Sequence, residues 1–165
     1  MTVMNLPSHQ LAMTVLMTPD TANFSGNVHG GTILKLLDQV AYACASRYSG
    51  CYVVTMSVDQ VTFRQPVHVG ELVHFFASVN YTGKTSMEVG IKVVAENNRT
   101  REVRNVNGCY FTMVALDLNG IPVAVPKFHP STPDEHRWHA AAQARKQMRL
   151  ELERRAAKLA AASAM

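Results

Sequence analysis

The chain has 165 residues, 47% of them apolar and 17% charged, with a formal charge of +4 at neutral pH. That length suits one domain with a sizeable core, and no uninterrupted apolar run approaches the roughly 18 residues of a membrane-spanning helix, so a soluble fold without a membrane span is expected. Of the 16 basic residues, seven lie beyond residue 136 (Arg137, Arg145, Lys146, Arg149, Arg154, Arg155 and Lys158), which leaves the body of the chain near neutral and speaks against a nucleic-acid-binding face on it.

The first ten residues, "MTVMNLPSHQ", do not pair a basic start with an apolar core. No secretory signal is read there, and the cytoplasm is the expected compartment. "HQLAMTVLM" reads as a first strand ending at the turn "TPDT", where Pro19 and Asp20 break the pattern. From Gly30 the residues Ile33, Leu34, Leu36, Leu37, Val40, Ala41 and Cys44 are apolar at helical spacing. Ala43 and Ala45 leave almost no polar face, so the helix is expected to be buried on most sides and to stop at Gly50.

The period then changes from 3.6 to 2 through "CYVVTMSVDQVTF", "ELVHFFASVNY", "KTSMEVGIKVVAE" and "VNGCYFTMVALDL", rich in Val, Thr, Phe and Tyr. These four strands are joined by "RQPVHVG", by a tight turn at Thr82 and Gly83, and by "NNRTREV", the short links of an antiparallel meander. Asn119-Gly120 signals a last hairpin before "IPVAV", with Pro122 suited to an edge. One apolar helix and five or six antiparallel strands imply an α+β fold, a sheet curled around that helix. Past "KFHPSTP" the composition turns to Ala, Arg, Lys and Glu. A second helix is predicted from 134 to about 160, with Thr132 or Asp134 as N-cap. The expected division is a body of residues 1–130 and a helical tail of 131–165.

The site begins with Asp38, an acid inside the apolar helix. It must be hydrogen-bonded, partly neutralised, or exposed at a cleft or subunit boundary, and as a functional group it would serve as general base or nucleophile. Upstream, "GNVHGG" puts two glycines where the helix starts. The free N–H groups there suit a developing oxyanion, with Gly31 the best donor; ordinary capping is the alternative. Asn23 and Asn27 could orient a water or a carbonyl, or form Asx turns, and His29 reads as a supporting or packing histidine. Gly31 and Asp38 are seven residues apart, about 10 Å along a helix, too far for one reacting group. Asp38 of one chain is therefore expected to act with Asn23 and Gly31 of another, in two composite sites per homodimer. Lys84, Thr85 and Ser86 form a polar cluster able to hold phosphate or amide groups; Arg64, Arg99 and Arg101 could add charge. The three cysteines, Cys44, Cys51 and Cys109, show no C-x-x-C spacing and read as buried thiols. The histidines show no ligand spacing beyond His136 and His139, so no metal is expected.

The motifs N-x-x-G-x-x-H-G-G (residues 23–31), the helix Asp, F-x-x-P-V-x-x-G (63–70) and G-K-T-S (83–86) resemble together the acyl-coenzyme A thioesterases of the hotdog fold, in particular the bacterial short-chain and brain-type cytosolic group. The resemblance runs from about residue 8 to 127. It implies hydrolysis of fatty acyl-CoA, with the catalytic Asp on Asp38, the paired Asn on Asn23, and CoA contacts on Gly30 and Gly31, on Thr55, and on Lys84, Thr85 and Ser86. It also implies dimers whose sheets join edge to edge, commonly three to a hexamer. No cofactor is implied, because CoA is part of substrate and product. An enoyl-CoA hydratase or dehydratase of the same fold using His29 and Asp38, and a non-catalytic acyl-CoA or nucleotide-binding protein, are the alternatives.

Overall fold

The computed structural model describes residues 6–163; the expected outer limits at residues 1 and 165 lie outside the described residues. The elements are β1 (Gln10–Leu16), a 3-10 turn (Pro19–Thr21), α1 (Gly30–Ser49), β2 (Tyr52–Val58), β3 (Leu72–Thr82), β4 (Ser86–Glu96), β5 (Val103–Leu116) and α2 (Pro133–Ser163). The chain divides into two compact units, one ending at Lys127 and one starting at Phe128.

In the first unit the five strands form one antiparallel sheet in the order β1-β3-β4-β5-β2, curled around α1. Alternation decides which side chains reach the helix. Val73, Phe75, Ala77 and Val79 of β3, Met87, Val89, Ile91, Val93 and Ala95 of β4, and Cys109, Phe111, Met113 and Ala115 of β5 bury one face of the sheet. Ile33, Leu37, Val40, Ala41, Cys44 and Ala45 of α1 complete the core. Gly50 ends the helix in the left-handed conformation (φ 68°), its N–H bonding Ser46 O, which a residue without Cβ adopts at least cost. Cys44 and Cys109 are buried, and burial pushes both thiols up to about 12; Cys51 is only half-buried.

Three expectations need correction. The helix is not buried on most sides in the single chain. Leu34, Asp38, Gln39, Tyr42 and Ala43 are exposed, because a sheet curls around only one side of a helix. The expected strand at "IPVAV" is absent. Only an isolated bridge joins Leu116 to Pro122, since proline has no N–H to extend a ladder, although the turn before it forms, with Asp117 Oδ1 accepting from Asn119 N and Ile121 N. Finally, the strand predicted through Phe63 stops at Val58; beyond it the chain keeps to β5 by single bonds, Asp59 N to Tyr110 O and Arg64 N to Val106 O.

The second unit is the predicted tail helix, begun one residue early by Pro133. Thr132 is its cap: Thr132 Oγ1 accepts from Glu135 N, and Glu135 Oε2 accepts from Thr132 N and Ser131 N, a reciprocal capping box. Asp134 pairs instead with Arg137, and Arg155 with Glu151 one turn earlier. No described helix is long and apolar enough to cross a membrane.

Candidate active site

Asp38 lies on the open side of α1, where it meets β2. Thr55 Oγ1 donates to Asp38 Oδ1 at 2.6 Å. Thr55 is brought there by a bulge. The β2–β5 register pairs Thr55 with Met113 and Ser57 with Thr112, leaving Met56 as the extra residue, and bulges commonly re-aim a side chain at an active site. Thr55 thereby shares the concave side with Met113, whose Sδ is 3.6 Å from its hydroxyl. One carboxylate oxygen is held by a strong charge-assisted bond, and the exposure of the residue leaves the other within reach of solvent or ligand.

The turn carrying Lys84, Thr85 and Ser86 belongs to the same end of the sheet. Ser86 pairs with Val114, one position along β5 from the partner of Thr55. The turn is clamped by Gly83 N to Ser86 O, Ala115 N to Thr85 O and Val125 N to Lys84 O. Lys84 remains exposed. Arg101, by contrast, is engaged by Glu96 at 3.2 Å.

The other expected residues sit at the start of α1. Gly31 N donates to the Nδ1 of His29, 3.1 Å away, and His29 is the N-cap of the helix. An imidazole accepting at Nδ1 carries its proton on Nε2. Capping thus occupies the amide that the sequence marked for an oxyanion. Replacing His29 with alanine is expected to remove about 1 kcal/mol of stability, the usual cost of a lost N-cap. It would be read as a fall of a few degrees in Tm, with the Gly31 amide left open and turnover retained. Gly30 lies under the Phe63 ring, which a Cβ on Gly30 would meet at 3.6 Å.

Asn23 forms an Asx turn. Its Oδ1 accepts from Ser25 N at 2.9 Å and Asn27 N at 3.2 Å, and its backbone N–H bonds Asn27 O. The carbonyl end of the amide is spent on the loop, so what the side chain can still offer a ligand is the donor capacity of Nδ2. The structure therefore joins Asp38 with Thr55, and with the 84–86 turn along the sheet. It leaves Gly31 of the same chain about two helical turns from Asp38, on the order of 10 Å along α1, and Asn23 in the loop before that helix.

The sequence reading passed over Glu71 and Arg104. Glu71 is only 4% exposed; its Oε1 accepts from Arg104 and its Oε2 from His68 N. An acid directly after "HVG" and at the head of an apolar strand was the available signal.

Residues 25–102 match the family described as "Thioesterase superfamily". The chain is 52% identical to protein VdlD of Helicobacter pylori over 140 residues, 85% of this chain and 80% of that one. The crystal structure of an apo-hexameric acyl-CoA thioesterase superposes with TM-score 0.86 at 34% identity, covering 88% of this chain and 94% of that one. An acyl-CoA hydrolase of Staphylococcus aureus, solved in complex with butyryl coenzyme A, coenzyme A and coenzyme A disulfide, gives TM-score 0.80 at 29% identity over 93% and 96% of the two chains.

Proposed function

Because this chain belongs to the hotdog-fold acyl-CoA thioesterases of the thioesterase superfamily, we propose that it hydrolyses fatty acyl-CoA to free fatty acid and CoA with Asp38 as general base. The observation that carries this reading is the Thr55–Asp38 bond at 2.6 Å on the open side of α1. It fixes one oxygen of the carboxylate and leaves the other to take a proton from water. The water oxygen attacks the thioester carbonyl carbon, the carbonyl electrons move to oxygen, and collapse of that intermediate breaks the C–S bond. The proton held by Asp38 passes to the departing CoA sulfur. Neither metal nor cofactor takes part.

A coincidence of spacing supports the assignment. The S. aureus enzyme has been solved with an Asn, an Asp and a Thr each replaced by Ala. The Asp lies fifteen positions after the Asn there, and the Thr seventeen after the Asp. Asn23, Asp38 and Thr55 have the same intervals.

The partner for Asp38 comes, on this reading, from a second copy. β2 is an edge strand, whose unpaired backbone is a template for another chain. It exposes Tyr52, Met56 and Val58, beside Leu34 and Tyr42 of α1; Tyr42 meets Tyr52 edge to face, centroids 6.2 Å apart. Leu34 and Tyr42 lie one turn before and one turn after Asp38 on α1, and exposed apolar patches mark interfaces. Docking a second copy there brings its Asn23 and helix start to this Asp38, so the homodimer is the minimal active unit. Three such dimers would make the hexamer that one structural relative's name describes. Asn23 Nδ2–H donates to the thioester oxygen, while Gly31 joins it once the His29 ring gives way. Gly30 and Thr55 contact the CoA arm, and Lys84, Thr85 and Ser86 hold its phosphate end. We place the activity in the cytoplasm.

The measurement is release of free thiol, read with a disulfide dye, from acyl-CoA of increasing chain length. A hydratase would bleach an enoyl thioester and release none. That reading needs His29 to work with Asp38, yet His29 caps Gly31 and stands nine residues away, about 13 Å along the helix. Thr55→Ala should lower kcat about tenfold, because its hydroxyl orients the base, and should raise KM as far as its contact with the CoA arm contributes to binding; unchanged kcat would refute the role of Thr55.

A further inference from the structure

We propose that His68 and Glu71 are positioning residues for the hydrolysis, acting through Asn27 on Asn23; the proposal rests on the reading that Asn23 serves the site. The path begins in the sheet. Arg104 of β5 holds Glu71 with one arm of its guanidinium and bonds Pro66 O with the other, at 3.0 Å. Glu71, 4% exposed, accepts His68 N at its second oxygen, 2.9 Å away. A buried carboxylate with both oxygens bonded is a rigid anchor, and here it fixes the 66–71 turn.

That turn in turn holds the loop before α1. Val28 N bonds Val67 O at 2.8 Å, and Asn27 and His68 form a β-bridge. One side-chain contact is added: His68 Nδ1 is 2.9 Å from Asn27 Oδ1, and since that oxygen can only accept, Nδ1–H is the donor. Asn27 is the residue whose backbone N and O close on Asn23, at 3.2 Å to Oδ1 and 2.6 Å from N. The relay Arg104–Glu71–His68–Asn27–Asn23 thus runs from a strand of the sheet to the asparagine, whose amide oxygen it holds on the loop. His68 is exposed, so its bond adds little to folding; its consequence is the orientation of the loop.

The test uses the full chain and steady-state thiol release from whichever of acetyl-, butyryl-, octanoyl- and palmitoyl-CoA it turns over fastest. His68→Ala should lower kcat five- to tenfold with KM within twofold and Tm nearly unchanged. In an Asn23→Ala background the same substitution should cost nothing further, whereas with Thr55→Ala the two losses should multiply. Glu71→Gln should repeat the pattern of His68→Ala, with a lower Tm from weakened buried pairing. The relay is overturned if His68→Ala leaves kcat unchanged, or if its loss persists in full beside Asn23→Ala, as a merely structural role would require. Unaltered turnover in Asn23→Ala alone would overturn the reading beneath it, and the relay with it.

Discussion

Asp38→Ala is expected to reduce thiol release from acyl-CoA by about 10²- to 10⁴-fold, the range that a positioned general base supplies. Folding should hardly notice. The carboxylate lies on the open side of α1 and its described bond is to the Thr55 hydroxyl, so its removal creates no cavity and strands no buried charge. The two measurements together are diagnostic: kcat down by orders of magnitude with Tm within about two degrees places Asp38 in the chemistry. A mild kcat effect would make it a surface acid, and the water-activation route would be lost. Asp38→Asn separates the charge from the shape, because the amide still accepts from Thr55 but cannot take a proton from water. It should be nearly as inactive as the alanine variant.

The second large effect is recovery of activity from two inactive proteins. Asp38→Ala and Asn23→Ala chains, each nearly dead alone, are to be unfolded, mixed in equal amounts and refolded. In a two-fold symmetric dimer the two sites are equivalent, so a heterodimer of the variants has one site with both defects and one with neither. Random pairing makes about half the dimers mixed, hence activity near a quarter of wild type. Mixing Asp38→Ala with Thr55→Ala makes the control. Thr55 and Asp38 are joined within one chain, so no mixed dimer of those variants holds an intact pair on both counts, and no comparable gain is expected. If the first mixture gains no activity over its parents while dimers form, each site is made within one chain and the composite site is refuted.

Much of the first unit is legible in the residues because local rules write it. The apolar spacing from Ile33 to Cys44 and Gly50 after it mark α1 to the residue at its C-terminus, since a left-handed cap favours glycine whatever the rest of the protein does. The alternation in "ELVHFFASVNY" marks β3 within one residue at each end. Pro133 with Thr132 before it and Glu135 after it marks the start of α2. Asp38 is visible for a related reason, as an acid that contradicts the apolar helix around it, whereas Asn23 is an ordinary loop residue that only its place in the N-x-x-G-x-x-H-G-G pattern singles out. His29 shows where such reading stops. Its place before two glycines was visible, but whether the ring caps the helix or leaves the amide open depends on a side-chain rotation.

By itself the sequence determined the order of elements, the ends of the helices and the presence of an acid inside the apolar helix, because these depend on neighbours within a turn or a strand. The tertiary structure alone decided that β2, which follows α1 in the chain, pairs with β5, and so that Thr55 reaches Asp38 from seventeen residues away. It also decided that Glu71 meets Arg104 across a separation of 33 residues, and that one side of α1 remains open beside a free edge. Such contacts are set by how the sheet closes around its helix, which depends on the packing of all five strands together and on no periodicity within any one of them.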